Sequence, residues 1–417
     1  MPERRRLLVD ITPLRTQPQF RRLWGGYLVS GLGSQLTVVA VPYQVYRLTH
    51  SSFDVGMVGL AQVLPVLFGA LAGGSVADAV DRRYVLLCSQ GLLCACSVGL
   101  FLNALSARPA LWPLYALAAA IGGFSATDSS TRAAVFVKLV DREQLASANA
   151  LWQMLYQIGS VVGPAIGGIL IAHMGVGSAY LIDTCTFTVS FFAVFGLRAL
   201  PPSGGGTRFG WSSIKEGLGF LRGRQALQGT FVIDLDAMIL GMPRALFPAL
   251  GLVRFRGGAQ AVGLLYAAPG AGALVGAGLT GWVSSVRRQG RAVLIAVTVW
   301  GASIAVFGVT PWLWPALLLL ALAGAADVVS AVFRGTIMQT EAPDELLGRV
   351  SSIHTAVVTG GPRLGDAEAG TVAALAGTQA SVISGGLGCL VGVGLVWRLM
   401  PKFVQYVAPT RRTAQSP

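Results

Sequence analysis

Apolar positions in this chain come in long unbroken runs, not in the alternation of a half-buried strand or the one-sided stripe of a soluble helix. Runs fall near 23–47, 54–77, 84–105, 111–134, 146–172, 177–198, 225–251, 258–285, 291–309, 313–335, 350–376 and 380–400. About 20 residues suffice to cross a bilayer core as a helix, at about 1.5 Å of rise per residue. The segments between runs are short and rich in Arg, Asp, Gly and Pro. The pattern predicts an all-α polytopic membrane protein with twelve transmembrane helices, and an even count puts both termini on one side.

The polar segments orient these spans. Arg47, Arg108, Arg244, Arg254 and Arg256 fall on one set of loops and helix ends, and Arg363 lies inside a span. The other 25 of the 31 basic residues fall on the opposite set, including Arg4–Arg6, Arg82, Arg83, Arg287 and Arg288. Cytoplasmic loops carry the excess of Lys and Arg, so both termini are expected in the cytoplasm of a cell whose inner, or plasma, membrane holds the chain. The longest interior connector starts Pro201-Pro202-Ser203-Gly204 and continues as a basic amphipathic stretch from Trp211 to Arg224. It divides the chain into a six-helix bundle at 1–198, a cytoplasmic linker at 199–224, and a six-helix bundle with a cytoplasmic tail at 225–417.

Composition narrows the function class. Of 417 residues 53% are hydrophobic and 12% charged, with mean hydropathy +0.65; a soluble domain carries about 25% charged residues. The net charge of +13 is spread over loop clusters and forms no phosphate-binding patch, so nucleic acid is excluded as a partner. Cys88, Cys94, Cys96, Cys185 and Cys389 sit within apolar runs, which argues against a disulfide framework or a metal site. The first apolar run is too long for a cleaved leader's core. No phosphate-binding G-x-x-x-x-G-K-[ST] loop is present, so neither cofactor nor enzymatic activity is expected, and energy must come from an ion gradient.

The two halves repeat. Leu145-Ala-Ser-Ala-Asn149 before the fifth span corresponds to Leu347-Gly-Arg-Val-Ser351 before the eleventh, 202 residues later. Arg132 corresponds to Arg334 at the same offset, and Gly163-Pro164 to Gly361-Pro362 at 198. Gly74-Ser-Val-Ala-Asp78-Ala-Val-Asp81-Arg82-Arg83 has a faded partner in Gly281 to Arg291, with Ser285 in the place of Asp78. Two six-helix pseudo-repeats around a central cavity are the expected architecture.

With G-x-x-x-D-x-x-x-R-R between the second and third spans, the chain resembles the major facilitator superfamily from about Arg21 to Met400. Ile158-Gly159-Ser-Val-Val-Gly163-Pro164-Ala-Ile-Gly167-Gly168 resembles its fifth-helix antiporter motif. Val41-Pro42-Tyr43-Gln44, Gly241-Met242-Pro243-Arg244 and Gly361-Pro362-Arg363-Leu-Gly365-Asp366 resemble the enterobactin-exporter branch, which also holds drug efflux proteins. Asp81 departs from the superfamily loop, which commonly has Gly there. The resemblance implies an inner gate at Gly74, Asp78, Asp81, Arg82 and Arg83. Asp78 would face the amides at the start of the eleventh helix, and Arg82 would pair with Asp128. A plain topogenic cluster is the alternative reading.

Charges inside spans are costly in lipid and mark a cavity or a partner. Asp234 and Asp236 lie about 10 residues into the seventh span and point to different faces. Either could carry a proton or pair with an interior Arg. Arg363, Asp366 and Glu368 form a second group, either a substrate or proton site or a structural ion pair. Asp183 and Asp327 are further proton or substrate candidates, and Gln35, Tyr43, Gln44, Gln153 and Tyr156 are candidate cavity-lining groups. Gly159, Gly163, Gly167 and Gly168 suit close helix packing, and Pro164 suits a bend. His50, His173 and His354 sit near span ends and read as interfacial.

These features indicate a monomeric secondary transporter in the lipid bilayer. It exchanges a small amphipathic substrate, a siderophore or drug, for protons by alternating access. An importer of the same fold, a membrane scaffold or sensor, and an intramembrane enzyme are the alternatives.

Overall fold

A computed structural model describes residues 10–201 and 219–408; within helices, the side chains of Gly74, Ser75, Ala77, Asp78, Thr280, Trp282, Ser284, Asp344 and Glu345 lie outside what is described. The backbone is helical with no strand among the described residues. Its long helices are α1 (Pro18–Thr49), α2 (Ser52–Ala79), α3 (Arg82–Leu105), α4 (Leu111–Leu139), α5 (Leu145–Met174), α6 (Val176–Phe195), α7 (Gln225–Ile239), α8 (Gly258–Gly278), α9 (Gln289–Val309), α10 (Leu313–Glu341), α11 (Asp344–Ala376) and α12 (Thr378–Leu399). Among the described residues, nine helical stretches are long and apolar enough to cross a membrane, the α7 stretch counted through Arg254. The long helices outside that set are α1, α4 and α11, which carry buried or half-buried polar and charged groups.

Two runs depart from the expected continuous spans. The seventh breaks after Ile239 at Gly241-Met242-Pro243, then resumes as a tight turn at Arg244–Leu246 and a π-helical turn at Leu250–Arg254. Pro243 cannot donate to a helix and restricts the residue before it. The freed carbonyl of Gly241 accepts from Trp300 Nε1 at 3.0 Å, which meets the requirement that no backbone polar group stay unpaired at membrane depth. The eighth run stops at Gly278 and tightens into a 3₁₀ stretch at Thr280–Ser285.

The chain divides into two compact units. One holds Met1–His50, Ala61–Phe209 and Gly257–Ala267; the other holds Ser51–Leu60, Gly210–Arg256 and Ala268–Pro417. In the first, α1 packs on α6 and α5, and α3 packs on α4 and α6. Leu23, Leu86, Val135 and Val194 form one apolar cluster, and Phe20, Phe136, Ala148 and Leu151 form another. In the second, α9 packs on α10 and α12, and α7 packs on α11. Leu227, Phe231 and Val350 are buried together there, and Phe403 fills the space left by Gly229.

The repeat is visible in backbone detail. Gly175 joins α5 to α6 with φ +81°, and Gly377 joins α11 to α12 with φ +91°. They stand 202 residues apart, and this left-handed region favours glycine because it lacks Cβ. Both turns join their two helices through a single residue.

Candidate functional site

In the α2–α3 loop, Gly74 and Asp78 lie near the end of α2, and their side chains fall outside the described part. Asp81 is the N-cap of α3 and accepts from the Arg83 amide at 2.9 Å. It also accepts from the Leu200 amide at 3.0 and 3.1 Å, and the Arg82 amide donates back to the Leu200 carbonyl at 3.2 Å. The residue that departs from the superfamily loop therefore ties that loop to the chain following α6. Arg83 donates to the Phe195 carbonyl at 2.5 Å and covers its ring. Arg82 is buried at the start of α3.

Asp128 in α4 is held inside the first unit. Its Oδ2 accepts from Arg132 Nε at 3.0 Å and Nη2 at 2.6 Å, and its Oδ1 accepts from Ser89 Oγ at 3.0 Å and Gln90 Nε2 at 2.9 Å. Arg132 is wholly buried and lies 5.0 Å from the ring centre of Tyr27. Tyr27 in turn stacks on Trp152 of α5, with ring centres 4.3 Å apart. The guanidinium is thus enclosed by one carboxylate on its own helix and one aromatic face from α1, a cation–π arrangement.

Asp183 in α6 is 1% exposed. Its Oδ2 accepts from Thr37 Oγ1 and Ser97 Oγ, each at 2.7 Å. A Cβ on Gly33 would strike both Asp183 and Thr186, so α1 passes α6 there only because Gly33 has none. Of the candidate cavity residues, Gln44 is buried and accepts from Tyr180 Oη at 2.8 Å, and Tyr43 is buried beside Arg47. Gln35 lies against Gly163, whereas Gln153 and Tyr156 are exposed.

The four glycines of the α5 motif do different things. Gly163 faces Gln35 and the Leu32 carbonyl, and Gly167 makes an ordinary contact with Leu36. Gly168 meets the backbone of Ala259 and Gly263 at the start of α8, with no space for a methyl group. Gly159 has nothing within 4 Å of where a Cβ would stand. Pro164 lies inside α5 and its carbonyl faces Gly263. The crossing has a counterpart in the second unit, where Gly56 at the start of α2 meets Gly370 and the Asp366 backbone of α11. Gly168 and Gly370 again differ by 202.

The second unit gathers the charges most completely. Asp234 of α7, 1% exposed, forms an ion pair through Oδ1 with Arg334 Nη1 of α10, which is 4% exposed. Arg334 Nη2 lies 3.6 Å from Asp327 Oδ1, whose side chain is 43% exposed. The other oxygen of Asp234 lies 3.7 Å from His354 Nε2 of α11, and the His354 ring meets Phe231 edge-on. Asp236 points away from this group, toward Cys389 and Gly392 of α12, as two helical residues of separation require. Asp366 accepts from the Ala245 amide at 3.1 Å, capping the turn where α7 resumes, with Arg244 and Arg363 close by. Arg363 also donates to the Thr359 carbonyl of its own helix, and Glu368 is half-buried.

α11 starts at Asp344, six residues before the apolar run does, so His354 stands ten residues into the helix. Arg132 and Arg334, matched in the repeat, prove to be the buried centres of their units. Tyr27, Ser89, Thr37 and Ser97 carried no signal in one sequence; only neighbours in space distinguish them. Among the described residues no group of three or more His, Cys, Asp or Glu suits a metal ion.

The profile of a family described as transmembrane secretion effector matches residues 9–412. The chain is 31% identical over 393 residues to the enterobactin exporter EntS of Citrobacter koseri, covering 94% of each chain. It is 30% identical over 410 residues to EntS of Shigella boydii, covering 98% of this chain and 97% of that one. A POT family transporter crystallised with 5-aminolevulinic acid superimposes with TM-score 0.74 at 11% identity, covering 93% of this chain and 97% of the other. The nucleoside transporter NupG superimposes with TM-score 0.72 at 12% identity, covering 92% and 98%. A bacterial homologue of ferroportin gives 0.67 at 14% identity, covering 93% and 98%.

Proposed function

The chain belongs to the transmembrane secretion effector family of the major facilitator superfamily, and we propose that this multi-pass membrane transporter exports a siderophore-like amphipathic molecule in exchange for protons. The single observation that carries the reading is full-length similarity at about 30% identity to proteins named as enterobactin exporters. Ionisable groups buried in helices support proton coupling, because such groups are retained in lipid at a cost and mark ion pathways. The membrane is the bacterial inner membrane and both termini face the cytoplasm, a reading supported by the distribution of Lys and Arg. The internal repeat, seen again in the matched glycine crossings Gly56 on Gly370 and Gly168 on Gly263, supports alternating access, which repeat-built transporter folds carry out.

The test uses purified full-length protein in liposomes with enterobactin as the probe and an imposed pH gradient. Gradient-driven accumulation that a protonophore abolishes is the expected result. Accumulation that ignores the protonophore sinks the proton coupling, and movement only in the opposite sense favours the importer reading. Absence of enterobactin transport with proven gradient and orientation removes the siderophore assignment.

A further inference from the structure

The repeat places two buried arginines at equivalent points in two scaffolds, Arg132 in α4 and Arg334 in α10, and surrounds them differently. Tyr27 of α1 covers the Arg132 guanidinium, Trp152 of α5 stacks on Tyr27, and the carboxylate, Asp128, comes from Arg132's own helix. Around Arg334 the neighbours from α7 and α11 are Asp234 and His354. Trp152 and His354 are themselves 202 residues apart, so the same helical position carries an indole in one unit and an imidazole in the other. One unit has made this position inert to protons, and the other has made it titratable.

We propose that His354 is the residue through which the second unit takes up and releases the coupled proton, acting on Asp234 and Arg334; this rests on the proton-driven export proposed above. The contacts support it. Asp234 Oδ2 lies 3.7 Å from His354 Nε2, so a proton taken from hydronium at Nε2 meets a carboxylate, while Arg334 on the other oxygen opposes the added charge. Loss of the proton to water restores the original pair. The charged groups beside His354 are Asp234 from α7 and Arg334 from α10; Asp327 of α10 lies against Arg334, and Arg349 lies five residues earlier on the helix of His354.

Geometry supplies access and consequence. The His354 side chain is 33% exposed and Asp327 is 43% exposed, whereas Asp234 and Arg334 are buried between them. His354 and Asp327 are thus the exposed edges of the buried pair, and in this proposal the proton enters at His354, about 15 Å along α11 from its start. Asp234 offers one oxygen to each of two helices, Oδ1 to α10 and Oδ2 to α11. With His354 neutral, the carboxylate is bound chiefly to Arg334 and ties α7 to α10. With His354 charged, it is shared, and α7 is tied to α11 as well. One proton thus changes which helices move together.

The experiment compares wild type, His354→Gln and His354→Arg in liposomes, with enterobactin as probe, reading pH-gradient-driven accumulation and gradient-free exchange separately. The expected result is at least a tenfold loss of driven accumulation in both variants, with exchange retained within about threefold and no longer dependent on pH between 5.5 and 8. Accumulation in His354→Gln equal to wild type overturns the proposal. Loss of accumulation and exchange together in both variants also overturns it, since that marks a residue needed for folding or binding alone. If wild type itself shows no gradient-driven transport, the proton-driven reading fails, an outcome visible without any variant.

Discussion

Two glycines nine residues apart on α5 should respond oppositely to the same substitution. At Gly168 a new Cβ stands 2.7 Å from the Ala259 carbonyl oxygen, 2.9 Å from Gly263 Cα and 3.1 Å from its nitrogen. All three are backbone atoms, so no side chain can swing away. Carbon atoms rest at about 3.5–4.0 Å, so the two helices must part locally by about 0.6 Å or α5 must bend. Overpacking of this kind costs about 1–3 kcal/mol. At Gly159 a Cβ meets nothing within 4 Å, and alanine is favoured over glycine inside a helix by about 1 kcal/mol. For a unit of this size each kcal/mol moves the midpoint by about 2–4 °C. Gly168→Ala should lower the apparent Tm of detergent-purified protein by about 2–12 °C, and Gly159→Ala should raise it by about 2–4 °C. Thermal unfolding followed by intrinsic fluorescence at a fixed scan rate measures both, and the fixed rate matters where unfolding is irreversible. If the two variants shift together, or Gly168→Ala is the more stable, the close backbone contact is not what these glycines provide.

Two further outcomes follow from buried partners. Asp128→Asn leaves the Arg132 guanidinium buried without its carboxylate, a change worth about 3–5 kcal/mol, so the yield of monodisperse protein should collapse; Arg132→Met added to it should restore yield. Asp81→Ala removes the α3 cap, about 1 kcal/mol, and an acceptor for the Leu200 amide, about 1–3 kcal/mol more. Its Tm should fall by several degrees, while Asp81→Asn, which keeps a capping oxygen, should fall by less than half as much.

Much of the fold is legible in the hydrophobic pattern, because lipid imposes helices of a nearly fixed length on any apolar run. The long helices of the structure start and stop close to the predicted runs except where a polar extension lies outside the apolar segment and where α7 and α8 break off at Ile239 and Gly278. α11 shows the extension most clearly: its first turns from Asp344 are polar, so the apolar run starts at 350 while the helix starts six residues earlier. The break in α7 is written in Gly241-Met242-Pro243, yet a proline alone does not separate a kink from a full interruption; Pro42, Pro65, Pro164 and Pro362 all sit inside continuous helices. The site is less legible. A carboxylate inside a span announces itself, but its partner depends on which helices meet. Asp234 and Asp236 are equal in the sequence, and only the packing of α7 against α10 and α11 on one side and α12 on the other separates them.

The matched arginines are compensated differently in the two units. A buried guanidinium keeps its charge at any physiological pH, so each unit must compensate it permanently. The first unit does so within α4, at a separation of four residues, and leaves its α1 and α5 neighbours free to be aromatic. That solution crosses no helix boundary with charge. The second unit compensates Arg334 through α7, with Asp327 contributing from α10 itself. A cross-helix pair is sensitive to any third group that approaches the shared carboxylate, and His354 is that group. On the proposal above, a His in place of Trp at one repeat position turns a permanent strut into a pair whose balance depends on pH, provided the carboxylate sits on a neighbouring helix.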